Sequence, residues 1–96
     1  MILEHVHIII APNRVAEYLK AFEQARPQVQ EQPGCRSCRL LPALGEPGVF
    51  LLLIEWGSKE DHTEGFRKSE EYKEWSRLLH PFYDVFPEVR YFTIPA

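Results

Sequence analysis

A chain of 96 residues can build one hydrophobic core but not two, so residues 1–96 are read as a single domain. The net charge of −3, from 14 acidic and 11 basic residues spread along the sequence, provides no basic stripe for a phosphate backbone, which argues against nucleic acid as a partner. The longest apolar runs, Val6 to Ala11 and Val49 to Ile54, are far too short to span a bilayer, and the first ten residues lack a basic leader; the expectation is a cytoplasmic protein with no membrane partner.

Ile2 to Ile10 read as a strand rich in β-branched residues, with Val6, Ile8 and Ile10 on one face and Leu3, His5, His7 and Ile9 on the other. Pro12 and Asn13 stop it. From Arg14, apolar residues recur at Val15, Tyr18, Leu19, Phe22, Ala25 and Val29, the stripe of an amphipathic helix, with Pro27 expected to bend or loosen its last turns. Pro33-Gly34 turn the chain into a strand from about Arg36 to Leu44, and Gly45-Glu46-Pro47-Gly48 connect it as a hairpin to Val49–Trp56. Ser58 and Asp61 have the spacing of a capping box for a short helix to about Phe66. Ser69 opens a second helix, carrying Tyr72, Trp75, Leu79 and Phe82 at helical spacing, and an aromatic linker between Pro81 and Pro87 leads to a last strand, Glu88 to Ile94.

Cys35 and Cys38 form a CxxC at a strand start. Three residues apart on a regular strand, they point to opposite faces, which disfavours a disulfide or shared metal ligation and makes them packing residues. No metal is expected elsewhere, because the one close histidine pair, His5 and His7, lies on a strand without a helical partner or a fixed carboxylate.

The order β-α-β-β-α-β, with the second helical region split, predicts an α+β, ferredoxin-like fold: a four-stranded antiparallel sheet with both helical segments on one face. Val49–Trp56 is apolar on both of its faces, yet the helices cover only one. The bare face is too apolar for a monomer to leave in water, and a second copy of the same sheet is the simplest cover, so a homodimer through the sheet face is expected.

With these elements in place, the chain resembles the antibiotic biosynthesis monooxygenase family along essentially its whole length. The resemblance rests on Met1-Ile2-Leu3-Glu4-His5, Gln32-Pro33-Gly34-Cys35, Leu51-Leu52-Leu53-Ile54-Glu55-Trp56 with Ser58, His62-Thr63-Glu64-Gly65-Phe66-Arg67 and Leu78-Leu79-His80-Pro81-Phe82-Tyr83. It implies a dimeric α+β barrel in which each protomer holds a small molecule between its helices and the helix-facing side of its own sheet. The family is similar in fold across cofactor-free oxygenases of aromatic polyketides, haem-degrading enzymes and small proteins of unassigned role, so fold alone does not choose the reaction. At the positions where haem-degrading members place Asn, Trp and His, this chain has His5, Phe66 and Ser76, which disfavours that chemistry, although His80 stands nearby as a potential axial ligand.

Three histidines, His62, His80 and His5, are the candidate catalytic bases, since an imidazole titrates near neutrality; the plainer reading of each is a hydrogen-bonded packing residue. Phe66, Tyr72, Trp75, Phe82 and Tyr83 are the candidate substrate-binding residues, aromatic surfaces that suit a planar guest as well as they suit a core. Arg67 and Arg77 are noted as possible partners for an acidic ligand, with neighbouring glutamates as the simpler explanation. What the resemblance implies is a cofactor-independent monooxygenase acting on a planar phenolic, anthrone or quinone-like compound, with no cofactor of its own. The rival readings are a non-catalytic ligand-binding or stress-related dimer and, less favoured, a haem-binding protein.

Overall fold

A computed structural model describes residues 1–95. Alternation along β1 (Ile2–Ile9) and β3 (Val49–Trp56) decides what lies inside. Val6 and Ile8, with Ile10 just beyond the strand, and Phe50, Leu52, Ile54 and Trp56 are all buried on one face. Each such side chain contributes about 1.5–3 kcal/mol by leaving water. Glu4 shares this buried face, in phase with the apolar residues.

The remaining elements are α1 (Val15–Gln30), β2 (Cys35–Pro42), a π-helical segment (Asp61–Phe66), α2 (Glu70–Leu79) and β4 (Val89–Thr93), with single 3-10 turns at Pro12–Arg14 and His80–Phe82. The strand order is β2-β3-β1-β4 with every pairing antiparallel, so the two most apolar strands are central, and the fold is the ferredoxin-like α+β arrangement expected from the sequence. Both helices pack on the buried face. From α1, Tyr18, Phe22, Ala25 and Val29 enter the core, and from α2, Trp75 and Leu79 do so. Leu19, placed in the α1 stripe by sequence, stays 42 % exposed, because it lies about 100° round the helix from Tyr18. No helix among the described residues is long and apolar enough to cross a membrane.

Three local features differ from the sequence expectation. Pro27 does not loosen α1, which continues to Gln30 with the Glu31 N–H donating to the Pro27 carbonyl at 3.2 Å. Val29, fully buried, anchors the final turn and outweighs the single lost donor. The cysteines do not point to opposite faces. A bulge between Cys35 and Ser37 pairs Cys35 with Trp56 and Cys38 with Ile54, so both thiols turn to the helix side. They are free, and burial raises both thiol pKa values, that of Cys38 to about 12, so neither is an activated nucleophile.

The segment after Ser58 is π-helical, its backbone closed by the Arg67 N–H donating to the His62 carbonyl at 2.9 Å. Its start carries the expected capping box: the Ser58 N–H donates to Asp61 Oδ2 at 2.9 Å and the Asp61 N–H to Ser58 Oγ at 3.2 Å. Gly34 makes room for this cap. Its φ of +86° suits glycine, and a Cβ there would fall 2.1 Å from Asp61 Oδ2. Ser69 caps α2, accepting the Tyr72 N–H at 3.2 Å.

Candidate functional site

Glu4 lies at the centre of the sheet, opposite Ile54 of β3 and Tyr91 of β4, and is only 4 % exposed. A carboxyl group so placed needs partners. Trp56, one pair further along β3 on the same face, donates its indole N–H to Glu4 Oε1 at 2.9 Å. The π-helical segment lowers His62 onto the other oxygen, with Nε2 3.4 Å from Glu4 Oε2, and His62 Nδ1 meets the Tyr91 hydroxyl at 2.5 Å. Trp56, Glu4, His62 and Tyr91 thus form one polar chain drawn from four elements, buried except at the half-buried Tyr91. The indole and phenol rings flank His62 at centroid distances of 5.5 and 5.7 Å.

Burial sets the protonation of this chain. It raises the Glu4 pKa to about 7, against the opposing pull of the Trp56 hydrogen bond and the Arg67 charge. It lowers the His62 pKa to about 4, with Arg67 adding to the effect. Burial thus favours the uncharged form of both groups, so the contact is not a permanent ion pair. With Glu4 ionised, Nε2–H faces the carboxylate and Nδ1 accepts the Tyr91 proton; with Glu4 protonated, its O–H faces Nε2 and Nδ1–H donates to Tyr91. A proton arriving at Glu4 can be matched by a tautomer change next door.

Glu4 and His62 open onto a cavity of about 50 Å³ between the sheet, α2 and the 82–88 linker. Val6, Ile8, Leu52 and Val89 form its floor, Tyr72, Trp75, His80, Tyr83 and Phe86 its walls, and Arg67 lies on its rim. Burial lowers the His80 pKa, and its ring packs edge-on to Phe86 at 4.7 Å and beside Tyr72 and Tyr83 at 6.0 Å each. Tyr83 exchanges a 2.8 Å hydrogen bond with Tyr18, and burial pushes its hydroxyl pKa up to about 12. Phe86 and Pro87 also border an open groove of about 730 Å³ that reaches His7, Ile9 and Val85. Pockets for drug-sized ligands measure about 300–1,000 Å³, so a ring system enters the inner cavity only by displacing a wall. Phe86, 58 % exposed, and Pro87 are the wall shared with the groove.

The cavity brings together His62, His80, Tyr72, Trp75 and Tyr83 of the residues singled out by sequence. Phe66 lies beneath it, with its ring centroid 6.2 Å from that of Trp56 and 5.6 Å from that of Trp75. Phe82 packs on Tyr18 at 5.4 Å under the Arg14 guanidinium, outside the lining. His5, the third candidate base, is not brought to the cavity: an odd position on β1, it projects from the opposite face and meets Phe92 edge-on at 5.5 Å. Glu4, Tyr91 and Trp56 were not singled out. The readable signal was the phase of Glu4, a carboxylate in register with Val6, Ile8 and Ile10. Among the described residues, no group of three or more His, Cys, Asp or Glu side chains gathers where a metal ion could be held.

Comparison with known proteins agrees with this architecture. The family model for antibiotic biosynthesis monooxygenases matches residues 1–78. The uncharacterized protein YczJ of Bacillus subtilis (strain 168) is 42 % identical over 92 residues, covering 96 % of this chain and 97 % of that protein. A candidate antibiotic biosynthesis monooxygenase from Bordetella bronchiseptica superposes with a TM-score of 0.90 at 26 % identity, covering 99 % of this chain and 97 % of the other. A variant of SnoaB, a cofactor-independent oxygenase from Streptomyces nogalater, superposes with a TM-score of 0.78 at 15 % identity, covering 99 % and 93 %. On the extent of the family match and the identity to a full-length relative, the chain belongs to the antibiotic biosynthesis monooxygenase family.

Proposed function

We propose that the protein is a monooxygenase that oxidises a planar phenolic, anthrone or quinol-type compound without a cofactor, using Glu4 as base with His62 as its neighbour. One observation carries this reading: a buried carboxyl group whose pKa lies near 7 faces an aromatic-walled cavity beside an uncharged imidazole. A general base works best when its pKa is near the working pH, and Glu4 at about 7 meets that condition better than His62, which burial lowers to about 4.

For an anthrone the balance is simple. Glu4 takes a proton from the ring CH₂, giving a carbanion delocalised onto the carbonyl oxygen. The carbanion passes electrons to dioxygen and a C–O bond forms, leaving a hydroperoxide once protonated. Loss of water, with the second hydrogen of the CH₂ leaving as a proton, breaks the O–O bond and gives the ring ketone. One oxygen atom ends in product and the other in water. The apolar walls keep bulk water from protonating the carbanion, and the buried polar chain returns the proton. Displacement of Phe86 admits the ring, joining cavity and groove.

The bare sheet face supports the dimer reading. Leu3, Leu51 and Leu53 are only partly covered there, and Ile9 and Phe92 are 65 % and 41 % exposed. Sedimentation at micromolar concentration is expected to give a species twice the 11.3 kDa chain mass. The decisive assay is oxygen uptake with a panel of anthrones and hydroquinones, run against anaerobic controls. Uptake abolished by Glu4→Gln supports the proposal, and no uptake above buffer across the panel defeats it.

A further inference from the structure

Arg67 is the one lysine or arginine that lines the cavity among the described residues, and it takes part in none of the surface ion pairs. Three carboxylates lie three or four positions from it, and each is engaged elsewhere. Glu64 pairs with Lys68 at 2.9 Å, Glu70 with Lys73 at 3.1 Å, and Glu71 accepts from Gln32 Nε2 at 2.9 Å. Arg77, the other arginine flagged by sequence, is held by Glu74 through two hydrogen bonds. Among the described residues, the Arg67 side chain has no ion-pair or hydrogen-bond partner, although arginine is the residue best shaped to make them. Its backbone is fixed by the π-type hydrogen bond to His62, and its side chain borders the cavity alongside Glu4 and His62.

Glu4 does not satisfy it. That carboxyl group is buried and bonded to Trp56, whereas Arg67 is exposed at the rim, so its donors are free to turn toward whatever occupies the opening. A guanidinium beside apolar walls attracts an anion more strongly than one in open water, and its planar fork matches the two oxygens of a carboxylate.

Building on the aromatic-substrate reading above, we infer that the ligand of this cavity is a planar aromatic bearing an anionic oxygen group, a ring carboxylate or a phenolate, and that Arg67 binds that group at the rim. The ring edge to be deprotonated is then directed inward to Glu4 and His62. Arg67 thereby selects acidic aromatics over neutral ones and fixes which ring position meets the base. Lys59, whose ammonium lies over the Tyr91 ring at 5.1 Å but does not line the cavity, serves as a nearby cation with no such role.

The test is calorimetric titration with 2-naphthoate and its neutral isostere 2-naphthamide, neither of which reacts with dioxygen. The unmodified protein is expected to bind the carboxylate about tenfold or more tightly than the amide, the scale of one charge-assisted pair. Arg67→Met should erase that preference while leaving the amide affinity unchanged, Arg67→Lys should keep part of it, and Lys59→Gln should keep all of it. Rising salt should weaken the carboxylate alone. Equal affinities in the unmodified protein, or a preference that survives Arg67→Met, would overturn the role of Arg67 and leave the aromatic cavity standing. Binding of neither compound would overturn both.

Discussion

Glu4 and His5 are adjacent on one strand and have opposite surroundings. Glu4 faces the helices, is bonded to Trp56 and sits against His62, whereas His5 faces away and touches the edge of Phe92. By residue type His5 is the better candidate for proton chemistry at neutral pH. By environment the order reverses, because burial raises a carboxylic acid toward neutrality and leaves it facing the aromatic-walled cavity. The face of the sheet, more than the identity of the side chain, decides which group is equipped to act as a base.

Paired substitutions put this contrast at risk most directly. Glu4→Gln keeps the shape and should lower oxygen uptake by about 10²-fold or more, the usual contribution of a general base, while His5→Gln should change it less than about twofold. Equal losses from the two would erase the distinction between the faces. The converse experiment loads the bare face. Leu53→Glu places a charge among its aliphatic side chains and should weaken self-association at least about tenfold in sedimentation, leaving the near-ultraviolet circular dichroism of the cavity aromatics in place. An unchanged dimer would show that this surface is not the contact.

Acid–base linkage gives a smaller and sharper measure. The Glu4 pKa of about 7 lies above its ordinary 4.5, so its contribution to stability is complete below pH 4.5 and is lost as pH climbs through 7. The His62 value of about 4 lies below its ordinary 6.5, so its contribution is complete above pH 6.5 and is lost as pH falls through 4. The two trends oppose each other over most of this range. Glu4→Gln should therefore uncover stability that rises from pH 4 to 6.5, and His62→Gln stability that falls from pH 4.5 to 7, each by roughly 2–3 kcal/mol in urea unfolding. Parallel curves for the two variants would contradict the assigned protonation. Smallest is the support behind the site: Ser69→Ala removes the α2 cap and should cost about 1 kcal/mol with little effect on uptake.

The fold was legible because period and punctuation agreed. Alternation in Val49–Trp56, the glycine and proline turns and the Ser58 and Ser69 caps all pointed to one topology. Much of the cavity wall followed from the same patterns, since Tyr72, Trp75 and Tyr83 lie where helical spacing and the linker put them. The polar chain did not. Tyr91 meets His62 from a strand 29 residues away, a contact that no local spacing encodes. Glu4 was written plainly in the buried phase of β1, but histidine chemistry drew attention to its neighbour instead. The bulge that turns both cysteines inward was likewise hidden, because a single inserted residue inverts the parity of everything before it.

Phe86 has a consequence for how the cavity can be altered. It belongs to neither helix nor strand, contributes little to the core and, with Pro87, divides a space of about 50 Å³ from a groove of about 730 Å³. Replacement by a smaller or bulkier residue there would change the volume open beside Glu4 at almost no expense to folding. Change at this one position therefore leaves the carboxyl group, the imidazole and the indole beneath it untouched.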